Sequence, residues 1–89
     1  MVPHITCQTL LIPATRSGEV EENLLIFSDD TLVAVVRRCE ERANDIPQGF
    51  WILKTGYGPC AVPGTGLTFR SPDEAQQWVL ERVSRKRTN

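Results

Sequence analysis

Histidine and cysteine side chains are where nucleophilic and metal chemistry most readily begins, and the chain of 89 residues holds one histidine and three cysteines. His4 and Cys7 are three residues apart, a spacing that directs two strand side chains to opposite faces of a sheet. Contact of His4 with Cys60 or Ser71 through the fold stays open. The cysteines, which include Cys39, are odd in number and contain no C-x-x-C spacing. We therefore expect no disulfide and no metal site, and thiols that act as small apolar side chains.

Adjacent carboxylates occur at Glu21-Glu22, Asp29-Asp30 and Glu40-Glu41. Neighbouring residues on a strand or a helix do not face each other, so none of these is an acid–base pair by itself. No spacing typical of a zinc or calcium site accompanies them. The sequence therefore predicts a protein that is not an enzyme and that uses neither a metal nor a cofactor.

A glycine-rich stretch between residues 54 and 66 offers the alternative of a small-ligand or anion-binding module. Gly56-Tyr57-Gly58 lacks the third glycine and the following helix of a dinucleotide site, and Gly64-Thr65-Gly66 lacks the Lys-Ser/Thr of a phosphate-binding loop. Successive backbone N–H groups beside Lys54 could still form a small anion nest, although glycines that shape turns explain the same residues. The candidate loop comprises Lys54, Gly56, Tyr57, Gly58, Gly64, Thr65 and Gly66.

Charge and composition argue against nucleic acid and membrane as partners. The chain is 40% hydrophobic and 24% charged with a formal net charge of -1, which is ordinary for a globular domain. Residues 82–87 carry four cations, which suit the negative end of a helix dipole and have no aromatic neighbours for stacking on bases. No apolar run approaches the ~18–20 residues of a membrane span. Residues 1–12 do not resemble an export signal, so we expect a cytoplasmic protein.

Strand-forming residues are concentrated in four segments. His4–Ile12 is rich in β-branched residues, and Asn23–Phe27 follows it after a loop too long for a tight hairpin turn. Phe50–Lys54 is apolar on both alternating faces, and a fourth, interrupted strand is expected within residues 60–69.

A first helix is expected over Asp29–Asn44. Ser28-Asp29-Asp30 offers oxygens that can cap the first turn, and apolar residues follow at spacings of three and four. The valines within Leu32–Val36 favour a strand instead. The capping residues and the polar residues that follow Val36 favour the helix, and we give them more weight. Its apolar stripe comprises Leu32, Val35, Val36, Cys39 and Ala43.

A second helix is expected over Pro72–Arg85. It is opened by Ser71-Pro72-Asp73-Glu74, which combines a capping serine, proline at the first helical position and glutamate at the third. Residues 84–89 are predicted to be a frayed basic tail. The apolar stripe of this helix comprises Ala75, Trp78, Val79 and Val83.

These elements predict a single small α+β domain over residues 1–89, with the order β-β-α-β-β-α and a mostly antiparallel four-stranded sheet beside two helices. Its strands are apolar on both faces. If each helix covers one face, both faces are core; if both helices pack on one face, the other face needs a cover, which marks an interface. We therefore expect a non-catalytic protein-binding or regulatory module that docks a protein partner or a second copy as a homodimer. The expected surface comprises Leu10, Ile12, Leu24, Ile26, Trp51 and Leu53.

Overall fold

Five antiparallel strands and one helix form the fold in a computed structural model, which describes residues 3–13, 20–39, 49–62 and 67–87. Each strand pairs with the next one along the chain, so the sheet is a meander with the first and last strands at its edges. A 3₁₀ turn, Gly58–Cys60, separates the fourth strand from the fifth. The elements in chain order are β1 (Ile5–Pro13), β2 (Val20–Ser28), β3 (Thr31–Arg38), β4 (Trp51–Gly56), β5 (Thr68–Phe69) and α1 (Pro72–Arg87).

The hairpin between β2 and β3 overturns the predicted fold. Asp29 and Asp30 form a two-residue loop rather than a helix cap, because Ser28 pairs with Thr31 across them. Asp29 has a φ of 58°, a left-handed conformation that aspartate tolerates better than most residues. The prediction of a helix over Asp29–Asn44 is therefore wrong for residues 29–39, and residues 40–44 lie outside the described part of the chain.

The physical reason for the strand is the run of β-branched residues in β3. Val33, Val35 and Val36 lose less freedom on a pleated surface than in a helix, and here β2 and β4 bond to β3 on both sides. Five strands and one helix within the described residues thus replace the predicted four strands and two helices, in the order β-β-β-β-β-α. A sheet with a separate helix remains an α+β arrangement.

A β-bulge in the β2–β3 pair sets which side chains of β3 enter the core. Ile26 pairs with Ala34, but Phe27 pairs with Leu32, so Val33 is an extra residue in the ladder. Two successive residues then oppose one, and both Val33 and Ala34 are buried.

Helix α1 packs against one face of the sheet, which we call the covered face. Its buried residues, Ala75, Val79 and Val83, recur every fourth position and so lie on one side of the helix. All three are small, which lets the helix lie close to the strands. The sheet contributes a cluster of buried residues on the same face: Leu24, Ile26, Val33, Ala34, Val36, Trp51 and Phe69.

The start of α1 confirms the prediction of the second helix. The Ser71 hydroxyl accepts a hydrogen bond from the Glu74 N–H at 3.2 Å, and the Ser71 carbonyl accepts one from the Ala75 N–H at 3.2 Å. Proline occupies the first helical position, where no hydrogen bond from its nitrogen is needed. The helix includes the whole predicted range Pro72–Arg85 and extends to Arg87.

The turn after β4 is held tightly against the sheet and the helix. A Cβ atom at Gly56 would collide with the carbonyl oxygen of Cys60, so only glycine fits at this close approach. The Arg82 Nε donates a hydrogen bond to the Pro59 carbonyl at 2.9 Å. The same guanidinium lies 5.7 Å from the ring centroid of Trp78, within the range of a cation–π contact. One helical side chain therefore joins the turn to the body of α1.

Candidate protein-binding surface

The face of the sheet opposite α1, which we call the open face, carries apolar side chains that no described element covers. Side chains alternate along a strand, so the neighbours of buried Leu24, Ile26 and Val36 point to this opposite side. Cross-strand register places Leu25 directly opposite Val35. The apolar residues of the open face are Leu10, Ile12, Leu25, Phe27, Leu32, Val35 and Ile52, all of which are partly or well exposed to solvent.

Polar side chains lie among the apolar residues at one end of the open face, where Glu21 is opposite Ile12 and Asn23 is opposite Leu10. The Lys54 ammonium lies 3.6 Å from Glu21 Oε1. Because β3 lies between the strands of these two residues, the lysine side chain crosses β3 on this face. Lys54 is the extra residue of a second bulge, where Val35 pairs with Thr55 and Val36 pairs with Leu53. The ion pair therefore lies beside Ile12 rather than outside the apolar residues of this face.

Asn23 is a buried amide within this polar end. Its side chain has no solvent exposure. The Asn23 Nδ2 donates to the Glu21 carbonyl and to Glu21 Oε1, both at 3.3 Å. No donor among the described residues reaches Asn23 Oδ1. A buried acceptor without a partner lowers stability, so this position is kept at an energetic cost.

The residues of the predicted surface divide between the two faces. Leu10 and Ile12 lie on the open face, and Leu10 is 40% exposed. Leu24, Ile26 and Trp51 lie in the core under α1, with Leu53 packed against them. Alternation shows that a strand has two apolar faces but does not say which one the helix will cover. The sequence analysis missed the following open-face residues: Leu25, Phe27, Leu32, Val35 and Ile52.

The described residues of the glycine-rich candidate loop lie in different surroundings. Lys54 points across the open face, Gly56 packs against Cys60, and Tyr57 is exposed. Gly58 has a φ of +56° and begins the 3₁₀ turn. Residues 64–66 lie outside the described part of the chain, so the loop as a unit stays a prediction. Gly58 does line a groove of about 340 Å³, together with Pro59, Arg82 and Arg85.

The surroundings of Cys60 and Cys7 raise the pKa of both thiols. Burial raises the pKa of the Cys60 thiol, and the nearby Arg82 cation opposes that rise. Partial burial, with a contribution from the Asp73 carboxylate, raises the pKa of the Cys7 thiol. Both cysteines are therefore protonated at neutral pH, which makes them poor nucleophiles. The His4 backbone N–H donates to Asp29 Oδ1 at 3.3 Å.

The remaining observations concern disulfides, metal ions and membranes. None of the three cysteines is in a disulfide; Cys39 and Cys60 are buried and Cys7 is exposed. The described residues bring together no group of three His, Cys, Asp or Glu side chains that could hold a metal ion. Within the same residues, no helix has the length and apolar character that crossing a membrane requires.

Comparison with protein-family models, with curated proteins and with solved structures finds no match to this chain.

Proposed function

We propose that this chain is a non-catalytic protein-binding module whose open face receives the surface of another protein. The observation that carries the proposal is the asymmetry of the sheet. One face is closed by α1, whereas the other presents partly exposed leucine, isoleucine, valine and phenylalanine side chains. Exposed apolar patches of this kind usually mark interaction sites on monomeric proteins.

The open face is large enough to form part of an interface. Strands lie about 4.8 Å apart and residues rise about 3.3 Å along a strand, so four strands over about six residues cover roughly 400 Å². That is about half of the surface that one partner contributes to a standard protein–protein interface, which is ~800 Å². The Lys54–Glu21 ion pair would add polar contacts, whereas the buried Asn23 would not.

The proposal is tested by a hydrophobic dye and a matched pair of variants. Leu25→Thr removes apolar surface from the open face, whereas Val20→Thr makes a comparable change at a residue that is 61% exposed at the end of β2. We expect the folded protein to bind the dye, Leu25→Thr to bind it less, and Val20→Thr to bind it as before. Circular dichroism and urea unfolding establish that both variants are folded. A folded wild-type chain that binds no dye would contradict the proposal.

A photo-crosslinking residue identifies the partner directly. Placed at Val35, in the middle of the open face, it should give one protein adduct in an extract of the source cells. The same residue placed at Val20 should not give that adduct. The partner is then purified, and its affinity should fall at least about ten-fold with Leu25→Thr. Equal crosslinking from both positions would show that the open face is not the binding site.

A second candidate function is favoured by the groove beside Gly58. Two arginines, Arg82 and Arg85, line it, and guanidinium groups are suited to binding phosphate or carboxylate. Titration with inorganic pyrophosphate, followed by NMR shifts of the Gly58 amide, tests this candidate. Binding that Arg85→Gln weakens would support an anion-binding module, and unchanged spectra would exclude this anion as its ligand.

A further inference from the structure

The exposed edge of β1 is unusually suitable for pairing with another strand. Among the strands that the structure describes, β1 bonds only to β2, over nine residues in unbroken register. It contains no charged side chain, and Leu11 is 66% exposed. Proteins commonly protect sheet edges with charged residues, bulges or very short strands. The opposite edge follows that rule, because β5 has two residues, whereas β1 has no charge and no bulge and carries a protective proline only at its end, Pro13.

The hydrogen-bond phase of β1 determines which backbone groups face outward. The Asp29 N–H donates to the His4 carbonyl at 2.7 Å, so residue 4 bonds toward β2. In an antiparallel ladder this direction alternates, and the even-numbered residues up to Ile12 therefore also bond to β2. The N–H and C=O groups of the odd-numbered residues point away from the sheet. These outward residues are Ile5, Cys7, Thr9 and Leu11.

We propose that two copies of this chain pair through β1, antiparallel and across a two-fold axis at Gln8. In this register Ile5 lies opposite Leu11 of the second copy, and Cys7 lies opposite Thr9 of the second copy. All four outward residues of each strand then form ladder hydrogen bonds, about eight in total. A register centred on Thr9 also allows about eight bonds, but it places Pro13, which has no N–H, opposite Ile5 and leaves the Ile5 carbonyl without a donor at both ends.

Side chains support the same register and the same partner. Leu11, the most exposed of the large apolar residues described, would pack beside Ile5 of the second copy. A strand without charge meets no like-charge repulsion when it pairs with itself. A two-fold axis perpendicular to the sheet is required for antiparallel pairing, so both helices lie on one side and both open faces on the other. The joined open faces would measure about 800 Å², the area that one partner contributes to a standard interface.

The proposed dimer rests on the proposed function in one respect, that the chain works through contacts with other proteins. It uses the edge of β1, whereas the proposed function uses the open face.

Sedimentation and light scattering test the dimer and should show twice the chain mass, falling to the chain mass on dilution. Leu11→Lys places a charge on the edge strand, and Tyr57→Lys places one at an exposed residue that follows β4, three strands away from β1. We expect Leu11→Lys to weaken the dimer at least about ten-fold and Tyr57→Lys to leave it unchanged.

Disulfide trapping tests the register itself. In a Cys7→Ser background, Gln8→Cys should give a covalent dimer under mild oxidation, because residues on the two-fold axis approach to about 4.5–5.5 Å. Thr6→Cys should not, because its two copies would lie roughly four residue steps, or about 13 Å, apart along the strands. A protein that stays monomeric up to about 1 mM, at which association contributes only about 4 kcal/mol, would overturn the proposal. So would a dimer that Leu25→Thr weakens and Leu11→Lys does not, since it would place the second copy on the open face.

Discussion

Two adjacent valines in β3 provide a direct test of the sheet. Val36 has no solvent exposure and faces α1, whereas Val35 is partly exposed on the open face. Valine to threonine exchanges one methyl group for a hydroxyl of similar size and keeps the β-branched shape. The substitutions Val35→Thr and Val36→Thr therefore apply the same chemical change to opposite faces of one strand, with little effect on strand preference.

The expected difference follows from what surrounds each hydroxyl. Val36 pairs with Leu24 on one side and Leu53 on the other, and neither side chain can accept a hydrogen bond. Burying a hydroxyl without a partner costs about 1–3 kcal/mol in proteins, so Val36→Thr should lower the free energy of unfolding by that amount. At residue 35 the hydroxyl can reach water, and the loss should stay below about 0.5 kcal/mol.

Urea unfolding followed by circular dichroism measures both free energies. In a domain of this size 1 kcal/mol corresponds to a change of about 4–8 °C in Tm, so thermal unfolding should separate the two variants clearly. Equal losses would refute the reasoning in one of two ways. They would fit a helix in which both valines lie on one apolar stripe, or an open face that another segment covers in the free protein.

Three further predictions concern the cap, the close approach and the buried amide. Ser71→Ala should cost about 0.5–2 kcal/mol of unfolding free energy because the Glu74 N–H loses its acceptor, whereas Ser71→Asn should restore most of it; no loss would mean that Ser71 does not cap α1. Gly56→Ala should lower the free energy of unfolding by about 2–3 kcal/mol, because the new Cβ collides with the carbonyl of Cys60. Gly58→Ala should lower it by only ~1–2 kcal/mol, because its Cβ meets open space and the cost comes from the positive φ alone. The reverse order in urea unfolding would disprove that contact. Asn23→Leu removes the acceptor without a partner but also the two 3.3 Å bonds that Nδ2 donates to Glu21, so the unfolding free energy should change by less than about 1 kcal/mol; a loss of about 2 kcal/mol or more would contradict an unbonded Oδ1.

The C-terminal helix was determined by local sequence. Ser71 at the cap, proline at the first helical position and an apolar stripe at every fourth residue act within a few residues of each other. The cap forms within the residues of the helix itself, and the spacing of the stripe can be read from the sequence before its partner in the sheet is known, so the sequence predicted the helix and its start. The existence of β1, β2 and β4 was predicted for a similar reason, since β-branched and alternating apolar residues suit an extended chain.

The identity of β3 and the choice of the covered face depended on the tertiary structure. Asp29 and Asp30 can cap a helix or form a tight hairpin loop, and only the pairing of Thr31–Arg38 with β2 and β4 decides between them. Likewise Leu24 and Leu25 are chemically alike, and only the position of α1 makes one a core residue and the other part of the open face. The helix and strand preferences of single residues differ by only fractions of a kcal/mol. Ladder hydrogen bonds and burial join residues that are far apart in sequence. The strand conformation of β3 and the choice of the covered face are therefore determined only when the sheet assembles.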